Sequence, residues 1–341
     1  MASPRQSLAF GVEIEVYLRP RDSATMRSFC DAANWDPSKQ MSAGRHRAKL
    51  LQVVQAALNN DNIPAVLEAE NGHTEWLIEG DGSLASGEIH GYYWSQKVLD
   101  LYEVISTSFD VRATQHCGMH VHISPAVSHG LRWTAAELRS ILKAICLYND
   151  SVVDILPPDR KANEFAAPNF SHEQSPDAVQ SLHAAARNTG DYGPLFGVID
   201  GLQTPGAFAE LFETRWWSFN FSNISDTAAS CGTIEFRSPP AAPNAHTAMH
   251  WAVWTLSFVA EALRTDWSSR SREPWNRAGA VAGLRQFILR GYARLPAPSR
   301  TGLDVSRLRR ITGDAAACMT AAEIAEVKAL KEKKLVQFGG R

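Results

Sequence analysis

At 341 residues, with 45% hydrophobic and 21% charged residues, the chain is long enough to bury a sizeable core and too apolar to be disordered. A net charge of −2, with no basic run interleaved with aromatics, argues against bulk nucleic-acid binding. The five cysteines, Cys30, Cys117, Cys146, Cys231 and Cys318, form no CxxC, so neither a zinc knuckle nor a disulfide framework is indicated, and reduced thiols in a cytoplasmic protein are expected.

The opening MASPRQSLAF is too polar for a signal peptide, and no apolar run reaches the roughly 20 residues that span a bilayer, so no membrane partner is expected. Residues 8–18 read as a first strand, and Arg19–Ala43 as a polar loop with a short helix. Leu50, Leu51, Val54 and Leu58 recur at helical spacing within Arg45–Asn59. Ile63–Glu70 and Thr74–Glu79 read as two strands joined by an Asn71-Gly72 hairpin turn, and Leu84–Ile89 as a further strand carrying Glu88.

Trp94–Ser106 has Val98, Leu101, Tyr102 and Ile105 in helical register and reads as a crossover into a strand over Gln115–Ser124. Thr134 with Glu137 forms a capping box for a helix to about Asn149, and Leu156-Pro157-Pro158-Asp159-Arg160 stops it. A loop follows over Lys161–Asp191, with a helix near 176–187, then a strand over Arg215–Phe221 and another over Thr233–Arg237. His246–Leu263 is a long, largely buried helix, Thr265–Pro274 a polar linker, and 278–291, 303–311 and 320–334 short helices. The expected organisation is one domain over residues 1–265 and a helical C-terminal extension over 266–341.

Three of these strands share one pattern. Side chains alternate faces along a strand, so Glu13 and Glu15 share one face of the first, His120 and His122 one face of the second, and Glu235 and Arg237 one face of the third. The intervening Val12, Ile14, Val121, Ile123, Ile234 and Phe236 face the other way. Together they predict an α+β fold: a curved, mostly antiparallel sheet with a charged front and an apolar back covered by helices. Converging carboxylates repel one another unless cations lie between them. Oxygen donors favour Mg²⁺, and an added imidazole favours Mn²⁺ as well. The chain has no GxxxxGK[ST] loop, no GxGxxG after a strand, and no GxSxG or HExxH. Any nucleotide would therefore be held by metals and basic side chains.

FGVEIEV resembles the GxExE strand of carboxylate–amine ligases with the glutamine synthetase-type fold. CGMHVHIS is similar to the GMHxH segment of glutamine synthetase, and TIEFR looks like that enzyme's late ExR strand. The ordered set FGVEIEV, WLIEGDGSL, GEI, CGMHVHIS, LPPDRKANEF, RWWSFNF and TIEFR is similar to the amidoligase family of fungi and bacteria over roughly residues 8–265. The resemblance implies a glutamine synthetase catalytic-domain-like sheet that binds ATP with Mg²⁺ or Mn²⁺ and joins a small-molecule or peptide carboxylate to an amine through an acyl phosphate.

It further implies that Glu13, His120 and Glu235 hold one metal, and that Glu15 and Glu88 hold another. His122 would lie near the ATP phosphates, and Arg237 would face the transferred phosphoryl group. Arg160, Arg215 and Asn220 would contact substrate or phosphate, with Asp81 as the candidate base. Two segments depart from the family pattern: Ile89-His90-Gly91-Tyr92 replaces a Ser-Pro, and Ser238-Pro239-Pro240-Ala241 replaces a Gly-Thr. Both bear on the acceptor more than on ATP. A phosphotransferase on the same fold and a non-catalytic binding protein are the alternatives, distinguished by amine-independent ADP release and by absence of turnover respectively.

Overall fold

The computed structural model describes residues 8–32, 34, 36, 43–67, 76–77, 94–112, 117–125, 132–161, 163–224, 232–271 and 277–310. In chain order, β1 (Leu8–Ile14) and β2 (Tyr17–Pro20) precede α1 (Ser23–Ala32) and α2 (Ala43–Asn60). Two short strands, β3 (Ala65–Val66) and β4 (Trp76–Leu77), lead to α3 (Trp94–Ser108), β5 (Phe109–Arg112) and β6 (Met119–Pro125). Then come α4 (Ala135–Ile155), α5 (Pro158–Lys161), α6 (Asp177–Thr189), α7 (Gly193–Asp200) and α8 (Pro205–Leu211). The described part closes with β7 (Phe219–Asn220), β8 (Ile234–Phe236), α9 (Ala245–Ala262) and α10 (Arg277–Arg294).

The mixed helix-and-strand class agrees with expectation, as do α2, α3, α6 and α9. Thr134 caps α4 in a full capping box with Glu137, but α4 runs past Asn149 to Ile155 because Val152 and Ile155 keep its apolar face going. The predicted first strand is two. The β1–β6 ladder extends by one bond, Glu15 N–H to Gly118 O at 3.1 Å, and then the chain leaves for β2, which pairs with β5 in a separate sheet. Helix α3 accordingly leads into β5 rather than directly into the histidine strand.

The hairpin pairing is corrected, since β3 and β4 pair in parallel and not antiparallel, while the Asn71-Gly72 turn lies outside the described residues. The strand over 215–221 shrinks to Phe219–Asn220, and among the described residues of 303–311 there is only a 3₁₀ turn at Val305–Arg307. The predicted strand at 84–89 and helix at 320–334 lie outside the described residues.

The central sheet has the order β1-β6-β8-β7 and is antiparallel throughout. Its register explains the two faces. Val12 faces Val121, Val121 faces Phe236 and Phe236 faces Phe219, one apolar rung across all four strands. The neighbouring rung is polar: Gly11 opposite His122, His122 opposite Glu235, Glu235 opposite Asn220. Glu13 lies opposite His120. Helix α9 covers the apolar back, where Phe236 stacks on Phe219 at 4.5 Å and on Trp254 at 4.9 Å, and Trp254 on Phe258 at 5.3 Å.

Residues beyond 265 join this same core. Phe287 of α10 meets Phe258 at 5.4 Å, Leu284 and Ile288 are buried beside it, and Trp267 of the predicted polar linker is buried too. Buried Glu261 on α9 accepts from Arg290 at 2.6 Å and Arg294 at 2.5 Å, fixing α10 to α9. Among the described residues, no helix is long and apolar enough to cross a membrane.

Past α10, the chain returns to the start of α9. Asp304 N–H donates to Nδ1 of fully buried His250 at 3.0 Å, and Arg307 donates to Thr247 at 3.2 Å. Burial, helped by Arg307 and opposed by Asp304, pulls the imidazole from 6.5 down to about 4. The unfolded chain therefore takes up this proton first as pH falls. The contribution of His250 to stability is full above pH 6.5 and is lost between 6.5 and about 4, by about 3 kcal/mol at most. Urea titrations across that range should show the decline, and His250→Gln should flatten it. A variant with the same slope as the parent would exclude His250 as its cause.

Candidate functional site

The polar front of the sheet is where sequence reasoning placed chemistry, and the structure brings six of those residues together. Glu13 comes from β1, His120 and His122 from β6, Glu235 from β8, Arg237 from just past the end of β8 and Asn220 from β7. Glu13, His120, Glu235 and Asn220 are all at most 6% exposed, and the His122 side chain is 12% exposed. Their convergence follows from strand alternation and register alone: an apolar residue either side of each one is anchored in the back core.

Glu13 is gripped from two sides, with His120 Nδ1 2.7 Å from Oε2 and His122 Nε2 2.8 Å from Oε1. Burial works to raise its pKa, but the hydrogen bonds and charge of the two histidines overcome this and hold it at about 2. Glu235 Oε2 accepts from Asn220 Nδ2 at 2.8 Å. Its Oε1 accepts from Arg237 Nη1, with His120 Nδ1 3.2 Å and His122 Nε2 3.9 Å away. The other nitrogen of His122 is 3.1 Å from Thr233 Oγ1, which orients the ring. Two carboxylates and two imidazoles within contact of one another form a donor set suited to a divalent ion. Among the described residues, ligand atoms of Glu13, His122 and Glu235 lie within 4.8 Å of one another. This trio contains His122, which the family resemblance assigned to the nucleotide, while His120, assigned to the metal, meets Glu13 at 2.7 Å and Glu235 at 3.2 Å.

The remaining predicted residues are distributed around this centre. Glu15 lies past the end of β1, with Oε2 accepting from Gly118 N–H at 2.7 Å. Gly118 is close-packed: a Cβ there would lie 3.2 Å from both Arg160 Nη2 and His120 Nε2, and 3.4 Å from Glu15 Oε2. Arg160, on α5, is 3% exposed, and its guanidinium donates to three backbone carbonyls: Ser238 at 3.2 Å, Cys117 at 3.4 Å and Arg237 at 2.7 Å. Burial pulls its pKa down to about 10 against the support of Glu15 and Asp159. In this structure it joins the start of the histidine strand to the end of the Glu235 strand. Arg215 is exposed and stacks on Trp216, 4.5 Å from the ring centroid. Asp81 and Glu88 lie outside the described residues.

Sequence reasoning missed the aromatic surround of Arg237. Its guanidinium is 5.7 Å from the Trp216 ring centroid, and its Nε donates to Phe165 O at 3.2 Å. Phe165 and Trp216 meet edge to face at 5.3 Å. The only signal was their adjacency to Arg215 and to the KANEF stretch. Ser218 and Ser238, whose hydroxyls lie 2.6 Å apart, were also missed.

A family model described as "Putative amidoligase enzyme" matches residues 6–259. No curated protein and no solved structure matches the chain.

The three carbonyl bonds of Arg160 predict that Arg160→Lys destabilises the fold by about 3 kcal/mol, because an ammonium cannot reach all three acceptors. Chemical denaturation measures this. A loss within experimental error of zero would mean that the guanidinium has no structural part.

Proposed function

From the premise that this chain belongs to the amidoligase family, we propose that it is an ATP-dependent carboxylate–amine ligase with a glutamine synthetase-like catalytic sheet. The observation that carries the proposal is the buried front of the sheet, where Glu13, His120, His122 and Glu235 form a donor set fit for a divalent cation and Arg237 reaches Glu235 from its edge.

A carboxylate is a poor acyl donor because its leaving group would be oxide. In the proposed reaction its oxygen attacks the γ-phosphorus of ATP, ADP departs, and the acyl phosphate formed has a good leaving group. An amine then attacks the acyl carbon, phosphate leaves, and the surplus amine proton passes to a base. Positioning and charge neutralisation dominate the phosphoryl step. Glu13, Glu235 and an imidazole of the His120–His122 pair would hold one Mg²⁺ or Mn²⁺, and Glu15 with Glu88 a second. Bound there, the ions would neutralise phosphate oxygens and align them.

Arg237 offers a planar fork to the transferred phosphoryl group. Asn220 orients Glu235 through Oε2. Asp81 is the proposed base, and Arg215 a contact to substrate on the exposed rim. Arg160 is proposed to act by fixing the backbone of Arg237 and Cys117 rather than by touching substrate. We assign the chemistry to residues 1–265, with α10 beyond it packed on α9. An ATP-consuming reaction and the buried thiols Cys30 and Cys146 fit a cytoplasmic setting.

ADP release measured over a matrix of acids and amines, with products read by mass spectrometry, tests this reading. Turnover should require acid, ATP and a divalent ion together, and hydroxylamine as the amine should yield the hydroxamate. Glu13→Ala and Glu235→Ala should each lower turnover by at least about 100-fold with the fold retained, the scale of losing a ligand or its support. ADP release that ignores the amine and leaves a stable phosphorylated product would move the assignment to phosphotransfer. No turnover with any pair would favour a binding role.

A further inference from the structure

Glu235 presents its two oxygens differently. Oε2 is held by Asn220 from the neighbouring strand at 2.8 Å. Oε1 points into the cluster and is taken by Arg237 Nη1, with both imidazoles close by. A cation shared between Glu13 and Glu235 would need that same Oε1. Arg237 also has anchors outside the cluster, the Phe165 carbonyl at Nε and the Trp216 ring. Its guanidinium can therefore let go of Oε1 without losing its place at the rim.

We propose that Arg237 is a built-in counter-cation that competes with the divalent ion for Glu235. In the absence of an ion it balances one of two buried carboxylates, 3% exposed at Glu235 and 6% at Glu13. When the ion binds, Oε1 passes from the guanidinium to the ion, while Asn220 keeps the carboxylate oriented. The freed Nη1 remains beside Trp216, facing the space where a phosphate would arrive. Ion binding thereby readies the arginine for an anionic partner, and occupancy of the two becomes ordered. This rests on the metal reading proposed above but makes a separate claim. An arginine that served only phosphate would leave the affinity for the bare ion unchanged.

The sign of the effect is the test. Calorimetric titration of the full chain with Mn²⁺ alone should show Arg237→Gln binding about tenfold or more tighter than the parent, since a dication then meets Glu235 Oε1 with no guanidinium competing for it. Arg237→Lys, which keeps the charge, should bind close to the parent. If the parent binds Mn²⁺ and Arg237→Gln binds equally or more weakly, the competition is overturned while the metal reading stands. If neither binds, both fall. Should Arg237→Gln fail to fold, the unmodified protein still decides. Peptide mapping after phenylglyoxal treatment should show Arg237 labelled several-fold faster with saturating Mn²⁺ than with chelator, and equal or slower labelling would overturn the proposal.

Discussion

The arrangement depends on keeping two carboxylates buried on one face of a four-stranded sheet. Glu13 and Glu235 are both nearly inaccessible, and an isolated buried carboxylate would take up a proton instead. Neither is isolated. Two imidazoles hold Glu13 ionised down to about 2, and Glu235 accepts hydrogen bonds from Arg237 and Asn220. Removing one partner from such a buried set is far more damaging than never having built it. That asymmetry makes the front of the sheet a poor place for stability and a sensible one for chemistry.

What supports this charged face is the aromatic stack behind it. Each site residue alternates with a core residue, so Phe236 between Glu235 and Arg237, and Val121 between His120 and His122, fix the polar side chains by packing on the opposite face. The stack continues through Trp254 and Phe258 of α9 to Phe287 of α10. Rigid backing of this kind lets hydrogen-bond geometry at the front be set by register rather than by flexible loops. Arg160 completes the frame by tying the entry of one site strand to the exit of another.

The centre of the site was legible because strand alternation is a strong local rule and because Glu13, His120, His122 and Glu235 each interrupt an apolar run. Long helices with clear periodicity, such as α4 and α9, were equally readable. The rest depended on long-range partners that local pattern does not encode. An Asn-Gly pair looks the same whether its flanking strands pair with each other as a hairpin or not, and β3 and β4 turned out parallel. Arg160 reads locally as part of the helix-stopping LPPDR and by resemblance as a substrate or phosphate contact, and only its three distant carbonyls reveal it as buried. Phe165 and Trp216 lie 51 residues apart in sequence (165 against 216), so their meeting around Arg237 carries no local signature.

The central claim is that the Glu13–Glu235 face is built to hold a divalent ion with an imidazole in its coordination shell. Pulsed electron paramagnetic resonance of Mn²⁺ added to the protein tests that without any knowledge of the substrates. The account predicts bound Mn²⁺ with ¹⁴N modulation from a directly coordinated imidazole, lost when His120 and His122 are both replaced by alanine. Manganese that stays fully hydrated, or that binds with no nitrogen coupling, would contradict it.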